Sequence, residues 1–166
     1  MHAGPSAEDG GVDGTGVRVA LVAARFNGAV VDLLVQGART CLREHGVAPA
    51  DVDVYWVPGA FELPLAAKRA ATCGRFDAIV CLGAVIRGET AHFGFVATEA
   101  ARGIQEVALE CGIPVSFGVL TTDTVEQAEA RAGGSEGNKG WDCALSALQM
   151  VRVLDQLESA TGPGAD

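Results

Sequence analysis

The sequence predicts a flavodoxin-like three-layer α/β/α sandwich built on a four-stranded parallel sheet in the order 2-1-3-4. Three observations carry this prediction. Apolar runs of strand length alternate four times with segments of helical period, the pattern of right-handed βαβ units covered on both faces. The strand segments are near-continuous in Val, Ile, Leu and Ala, as strands buried on both faces require. Of the 166 residues 49% are hydrophobic but only 5% aromatic, and small aliphatic side chains suit close-packed layers.

Each element follows from its local pattern. Residues 17–24 (VRVALVAA) form the first strand, between Gly16 and the turn Arg25-Phe26-Asn27. Over 28–45, Val30, Val31, Leu34, Val35, Ala38, Cys41 and Leu42 repeat at helical spacing, and Gly46 stops the helix. Residues 52–57 are a second strand ended by Pro58-Gly59, and 62–73 a short helix stopped by Gly74. The third strand, 77–86, is almost wholly apolar, and a helix over 93–110 ends before Gly112 and Pro114. The fourth strand covers 115–120, and the run Thr121-Thr122-Asp123-Thr124 supplies an N-cap for a helix over 125–132. A glycine-rich turn, 133–140, leads into a last helix reaching about residue 158. One domain, 17–158, is expected between a disordered arm (1–16) and a flexible tail (159–166).

The bulk numbers exclude several functions. A net charge of −9 and an isoelectric point near 4.7 leave no basic stripe for nucleic acid. No apolar run reaches membrane-spanning length and 1–16 lacks signal-peptide regions, so no membrane partner and a cytoplasmic location are expected. The five cysteines, Cys41, Cys73, Cys81, Cys111 and Cys143, form no C-x-x-C pair and read as buried, reduced thiols. The apolar excess points to burial between subunits.

In a parallel sheet the strand-to-helix loops share one edge, where ligands bind. Here those loops are Arg25-Phe26-Asn27, the stretch Pro58 to Glu62, the stretch Arg87 to His92, and Thr121-Thr122-Asp123. They suit a flat polar heterocycle with hydroxylated side groups, Phe26 or Phe61 covering a ring face and Asn27 and Glu62 taking hydroxyls. Residues 79–93 (IVCLGAVIRGETAHF) read as a phosphate-and-proton site, with backbone N–H groups facing an anion beside an imidazole. Of the three histidines, only His92 falls on this rim; His2 lies in the arm and His45 at a helix end. Plainer readings stand beside these. Phe26 and Phe61 fold back onto the core, Glu62 serves the helix dipole, His92 merely starts a helix, and Arg87 is a buried structural tie. The chain carries no G-x-G-x-x-G after its first strand, no P-loop, no G-x-S-x-G elbow and no metal-spaced ligand set.

Six ordered segments together resemble the lumazine synthase (6,7-dimethyl-8-ribityllumazine synthase) family over residues 17–153. They are Arg25-Phe26-Asn27, VPGAFELP at 57–64, GAVIRGET at 83–90, FGVLTTD at 117–123, EQA at 126–128, and RAG at 131–133 with GNKG at 137–140. The resemblance implies condensation of 5-amino-6-(D-ribitylamino)uracil with 3,4-dihydroxy-2-butanone 4-phosphate, with no metal or organic cofactor. It places Phe26 on the pyrimidine, and Ala60, Phe61 and Glu62 on the ribityl chain and ring edge. Ala84, Val85 and Ile86 line the pyrimidine pocket, Gly88, Glu89 and Thr90 approach the phosphate, and His92 transfers protons. Phe117, Arg131 and Lys139 complete the site from a neighbouring subunit. The resemblance further implies a homopentamer, and a sixty-subunit shell where the turn between the last two helices carries no insertion, as here; the free pentamer is the alternative. One departure concerns Phe93-Gly94-Phe95, where the family usually has Phe-Asp-Tyr, so a carboxylate is missing beside His92. A non-catalytic lumazine or flavin carrier on the same scaffold is the alternative function, and an FMN electron carrier a more remote one.

Overall fold

The computed structural model describes residues 11–162. Its parallel sheet has the expected order, β2 (Val52–Val57), β1 (Val19–Ala24), β3 (Ala78–Ile86), β4 (Val115–Thr122). Helices α1 (Gly28–Glu44), α2 (Leu63–Thr72) and α3 (His92–Cys111) form the crossovers, and α4 (Val125–Ala130) precedes α5 (Lys139–Ala160). Among the described residues no helix is long and apolar enough to cross a membrane.

The strand pleat sorts side chains into two cores. Val19, Leu21, Val80 and Leu82 pack with Val31, Leu34, Ala144 and Leu148 of α1 and α5. Ala20, Val22, Ile79 and Cys81 pack with Leu63 and Ala67 of α2 and Ala100 and Ile104 of α3. β1 lies between two strands and two helical layers, so all six of its residues are buried and its sequence shows no polar alternation. Each fully buried Leu or Ile contributes about 1.5–3 kcal/mol, which makes these two cores the main source of stability.

One register feature creates the site. β1 pairs with β3 only from Val19/Ala78 to Ala23/Leu82, whereas β4 accompanies β3 as far as Ile86/Thr122. Residues 84–86 therefore project beyond β1 and leave a notch at the rim.

Against the middle of α1 the GNKG segment is structural. Asn138 accepts from the Gly140 and Trp141 N–H groups at 2.8 and 3.2 Å and so caps α5, while its Nδ2 donates to the Leu33 carbonyl at 3.0 Å. Glycines at 37 and 140 let the two helices approach this closely, since a Cβ on Gly37 would overlap Asn138 and one on Gly140 would overlap Leu34.

Several expected boundaries differ. The helix expected over 125–132 ends at Ala130, and the turn expected over 133–140 contains an antiparallel ribbon, β5 (Ala132–Gly134) with β6 (Gly137–Asn138). Gly133 and Gly137 adopt left-handed φ values of 106° and 80°, which a helix excludes and a tight ribbon uses. Residues 11–16 of the expected arm are placed: the Gly14 N–H donates to His45 O at 2.7 Å and Arg152 Nε to Asp13 O at 2.9 Å. The expectation of disorder otherwise falls on residues 1–10, outside the described residues. α5 runs to Ala160, past the expected boundary at 158, and 163–166 lie outside the description. Cys73, the C-cap residue of α2, is exposed, and Cys111 and Cys143 are only partly buried, unlike the buried Cys41 and Cys81.

Candidate active site

The four rim loops are set by backbone geometry. The Arg25 and Phe26 N–H groups donate to Val57 O and Pro58 O at 2.8 and 3.1 Å, extending the β1–β2 pairing past the sheet and holding Phe26 at the edge. Asn27 then turns the chain in the left-handed region, φ 57°, which an asparagine tolerates. Its Nδ2 donates to Ala84 O at 2.8 Å across the notch. The residue expected to take ligand hydroxyls therefore spends its amide on locking the first loop to β3, and it does not line the cavity.

A cavity of about 820 Å³ opens over the notch. That is within the usual range of small-molecule sites, roughly 300–1,000 Å³. Its lining contains Phe26, Ala60, Phe61, Glu62, Ala84, Val85, Ile86, Gly88, Thr90 and His92, ten of the residues expected from sequence, drawn from three loops. Phe26 and Phe61 are 72% and 62% exposed, which rules out the reading that they fold back onto the core. Glu62 lies in the short turn Ala60–Glu62 ahead of α2.

The remaining wall was missed in the sequence. Phe95, Val96 and Glu99 line the cavity with His92, and 92, 95, 96 and 99 are one face of α3, a spacing that was legible in principle. Phe93 also lines it, with the Arg87 guanidinium carbon 4.4 Å from its ring centre. The Glu99 carboxylate is paired with Arg102 at 2.6 Å.

His92 begins α3, and the N-cap residue Ala91 offers no side-chain acceptor to the first-turn N–H groups. No acidic residue occupies that turn. Thr90 Oγ1 accepts from the His92 N–H at 3.4 Å, and the twenty-residue helix that follows the loop Gly88-Glu89-Thr90 has an electropositive terminus suited to an anion. A Cβ on Gly94 would meet nothing within 4 Å, so the departure from Asp to Gly leaves open space, not a filled core.

Five expected residues do not line this cavity: Asn27, Glu89, Phe117, Arg131 and Lys139. Phe117 is 42% exposed on the edge strand β4. Arg131 follows α4 and donates from Nη1 to Gln127 O at 3.0 Å, and Lys139 pairs with Asp142 at 3.2 Å. The cavity lining includes no Lys or Arg. Arg87, for which a buried structural tie was one reading, is exposed and paired with Asp123 at 2.7 Å.

Thiolate chemistry finds no support at the two cysteines nearest the sheet core, since burial pushes Cys81 up to about 12 and Cys143 up to about 11. Among the described residues no group of three or more His, Cys, Asp and Glu could hold a metal ion.

An α/β sandwich whose rim joins an aromatic-walled cavity, a histidine and the start of a long helix belongs to the class of parallel α/β domains that bind small molecules at the carboxyl edge of the sheet. Within that class the assignment is specific. The family model described as 6,7-dimethyl-8-ribityllumazine synthase matches residues 16–155, and the chain belongs to that family. It is thereby placed among transferases of riboflavin biosynthesis.

Proposed function

We propose that this chain condenses 5-amino-6-(D-ribitylamino)uracil with 3,4-dihydroxy-2-butanone 4-phosphate to give 6,7-dimethyl-8-ribityllumazine. The observation that carries this reading is that the heterocycle wall and the anion-facing helix start share one cavity with His92. Phe26 stacks on the pyrimidine. Strand alternation turns the Ile86 N–H and C=O to the same edge as those of Ala84, over the notch, where they match the donor–acceptor edge of a pyrimidinedione. Glu62, with Ala60 and Phe61, takes the ribityl chain, and the loop Gly88-Glu89-Thr90 takes the phosphate.

The uracil amine attacks the ketone and water is lost to a Schiff base. Phosphate then leaves, and the resulting enol tautomerises before the ribitylamino nitrogen closes the second ring with loss of a second water. Each step moves a proton near neutral pH, the range in which imidazole works best, and His92 serves there as acid and base. Holding two substrates together supplies a large further part of the acceleration. Lumazine formation from the two purified substrates tests the whole reading, and binding of the product without turnover would favour the carrier instead.

The cavity lacks its own cation, so in this reading Arg131 of an adjacent subunit, with Phe117 and Lys139, closes it. Arg131→Ala should lose about 1.5–3 kcal/mol of charge-assisted hydrogen bonding to the butanone phosphate. Affinity for the uracil should change far less. Equal weakening of both substrates in binding titrations rejects the assignment.

Assembly follows from the same requirement. Leu65, Phe95 and Leu109 of α2 and α3 are 70%, 71% and 74% exposed, an apolar surface that a neighbouring copy would cover. The link between α4 and α5 carries no insertion beyond its short ribbon, which permits the shell. Five chains of 17.0 kDa give a ring of about 85 kDa and sixty a shell of about 1,020 kDa. Phosphate and salt should favour the shell by screening the acidic rings from one another. Light scattering in phosphate buffer should find the shell; a species near 85 kDa at every salt concentration leaves the free pentamer, and a monomer rejects the shared site.

A further inference from the structure

A continuous run of side chains passes outside the cavity from the start of α3 to the end of α4. Arg87 stacks on Phe93, the residue after His92 and itself a cavity wall. Its Nε donates to Asp123 Oδ1 at 2.7 Å, and its backbone N–H to Thr122 O at 2.8 Å. The Asp123 N–H donates to Gln127 Oε1 at 2.8 Å, and the Gln127 N–H to Thr124 Oγ1 at 3.1 Å. Gln127 O in turn accepts from Arg131 Nη1 at 3.0 Å. Asp123 stands in the middle of this run and does not line the cavity.

We propose that Asp123 is a positioning residue for both His92 and Arg131. Through Arg87 and Phe93 its carboxylate sets the first turn of α3. Through Gln127 its backbone holds the turn that carries Arg131. The proposal rests on the function proposed above, in which Arg131 serves the cavity of the adjacent subunit. In that arrangement Asp123 ties two consecutive sites of the assembly together inside one chain.

Magnitudes separate positioning from simple stabilisation. The Arg87–Asp123 pair is exposed on both sides, 57% and 64%, and exposed pairs contribute little to folding. A catalytic group displaced by about 1 Å can nonetheless lose up to roughly 100-fold in rate. Loss of the carboxylate should therefore appear in turnover and not in thermal stability.

The test compares Asp123→Asn, Asp123→Glu, Gln127→Ala and wild type. Asp123→Asn, which keeps the backbone N–H to Gln127, should lower kcat about 10-fold with both KM values unchanged. Gln127→Ala, which removes the acceptor of that N–H, should raise KM for the butanone phosphate and leave KM for the uracil unchanged. Asp123→Glu should recover part of kcat. The readout independent of activity is the His92 ring signal in the NMR spectrum, assigned among three histidines by its loss in His92→Ala. It should move in Asp123→Asn and shift less on titration with inorganic phosphate than in wild type. An unmoved ring signal with wild-type kcat overturns the proposal, and so does a fall in kcat matched by a large fall in melting temperature. If wild type makes no lumazine, the proposed reaction fails while the ring signal still decides the positioning role.

Discussion

His92→Ala should slow lumazine formation about 100-fold or more, the usual contribution of a positioned acid–base group. Its side chain is exposed in the first turn of α3 and lines the cavity, so nothing in either core depends on it. Alanine is also the best helix former, which keeps the start of α3 intact. Assembly, melting temperature and affinity for the uracil should therefore stay near wild type. A loss well below 100-fold would show that proximity carries most of the acceleration. Wild-type turnover across pH 6–8 would show that the imidazole is not used.

The consequences of Gly94 bear on the same residue. The family usually places aspartate there, and the open space around Gly94 means nothing else has moved in to replace it. The carboxylates lining the cavity are Glu62 and Glu99, and Glu99 is engaged by Arg102. In the function proposed above, His92 acts without the adjacent acid that the family pattern supplies.

The sheet order and the alternation of elements were legible because they depend on long apolar runs, such as residues 78–84 of β3, where every position is buried. The three rim loops that line the cavity were legible for the same reason, since parallel strands bring their C-terminal ends to one edge. Shorter features were not. A three-residue strand containing two glycines has no periodicity to read, so the β5–β6 ribbon was indistinguishable from a turn. The role of Asn27 depends on β3 projecting past β1, a register that no local pattern encodes. Of the loop Gly88-Glu89-Thr90, only Gly88 and Thr90 line the cavity. Phe117, Arg131 and Lys139 sit on β4, after α4 and at the start of α5, outside the lining of this chain's own cavity.

Gly140→Ala should be the most destabilising single-methyl change in the chain, by about 3 kcal/mol. Helix propensity alone predicts the opposite sign, since alanine gains up to about 1 kcal/mol over glycine within a helix. Contact decides the matter. A Cβ at Gly140 would lie 1.9 Å from Leu34 O, 2.7 Å from Leu34 C and 2.9 Å from Leu34 Cα, all of them backbone atoms of α1 that cannot rotate away. The two helices must separate, disturbing the Asn138 cap and the Ala144–Leu148 packing that follows. In a domain of this size about 3 kcal/mol corresponds to roughly 6–12 °C in melting temperature. Lys139 moves with the helix start, so activity should fall together with stability. Gly94→Ala is the matched control, in the first turn of α3 with nothing within 4 Å of the added carbon. It should leave the melting temperature unchanged or raise it slightly. Thermal unfolding of both variants separates the two effects: a melting temperature for Gly140→Ala at or above wild type would mean that propensity, and not the contact with Leu34, governs the glycine at 140.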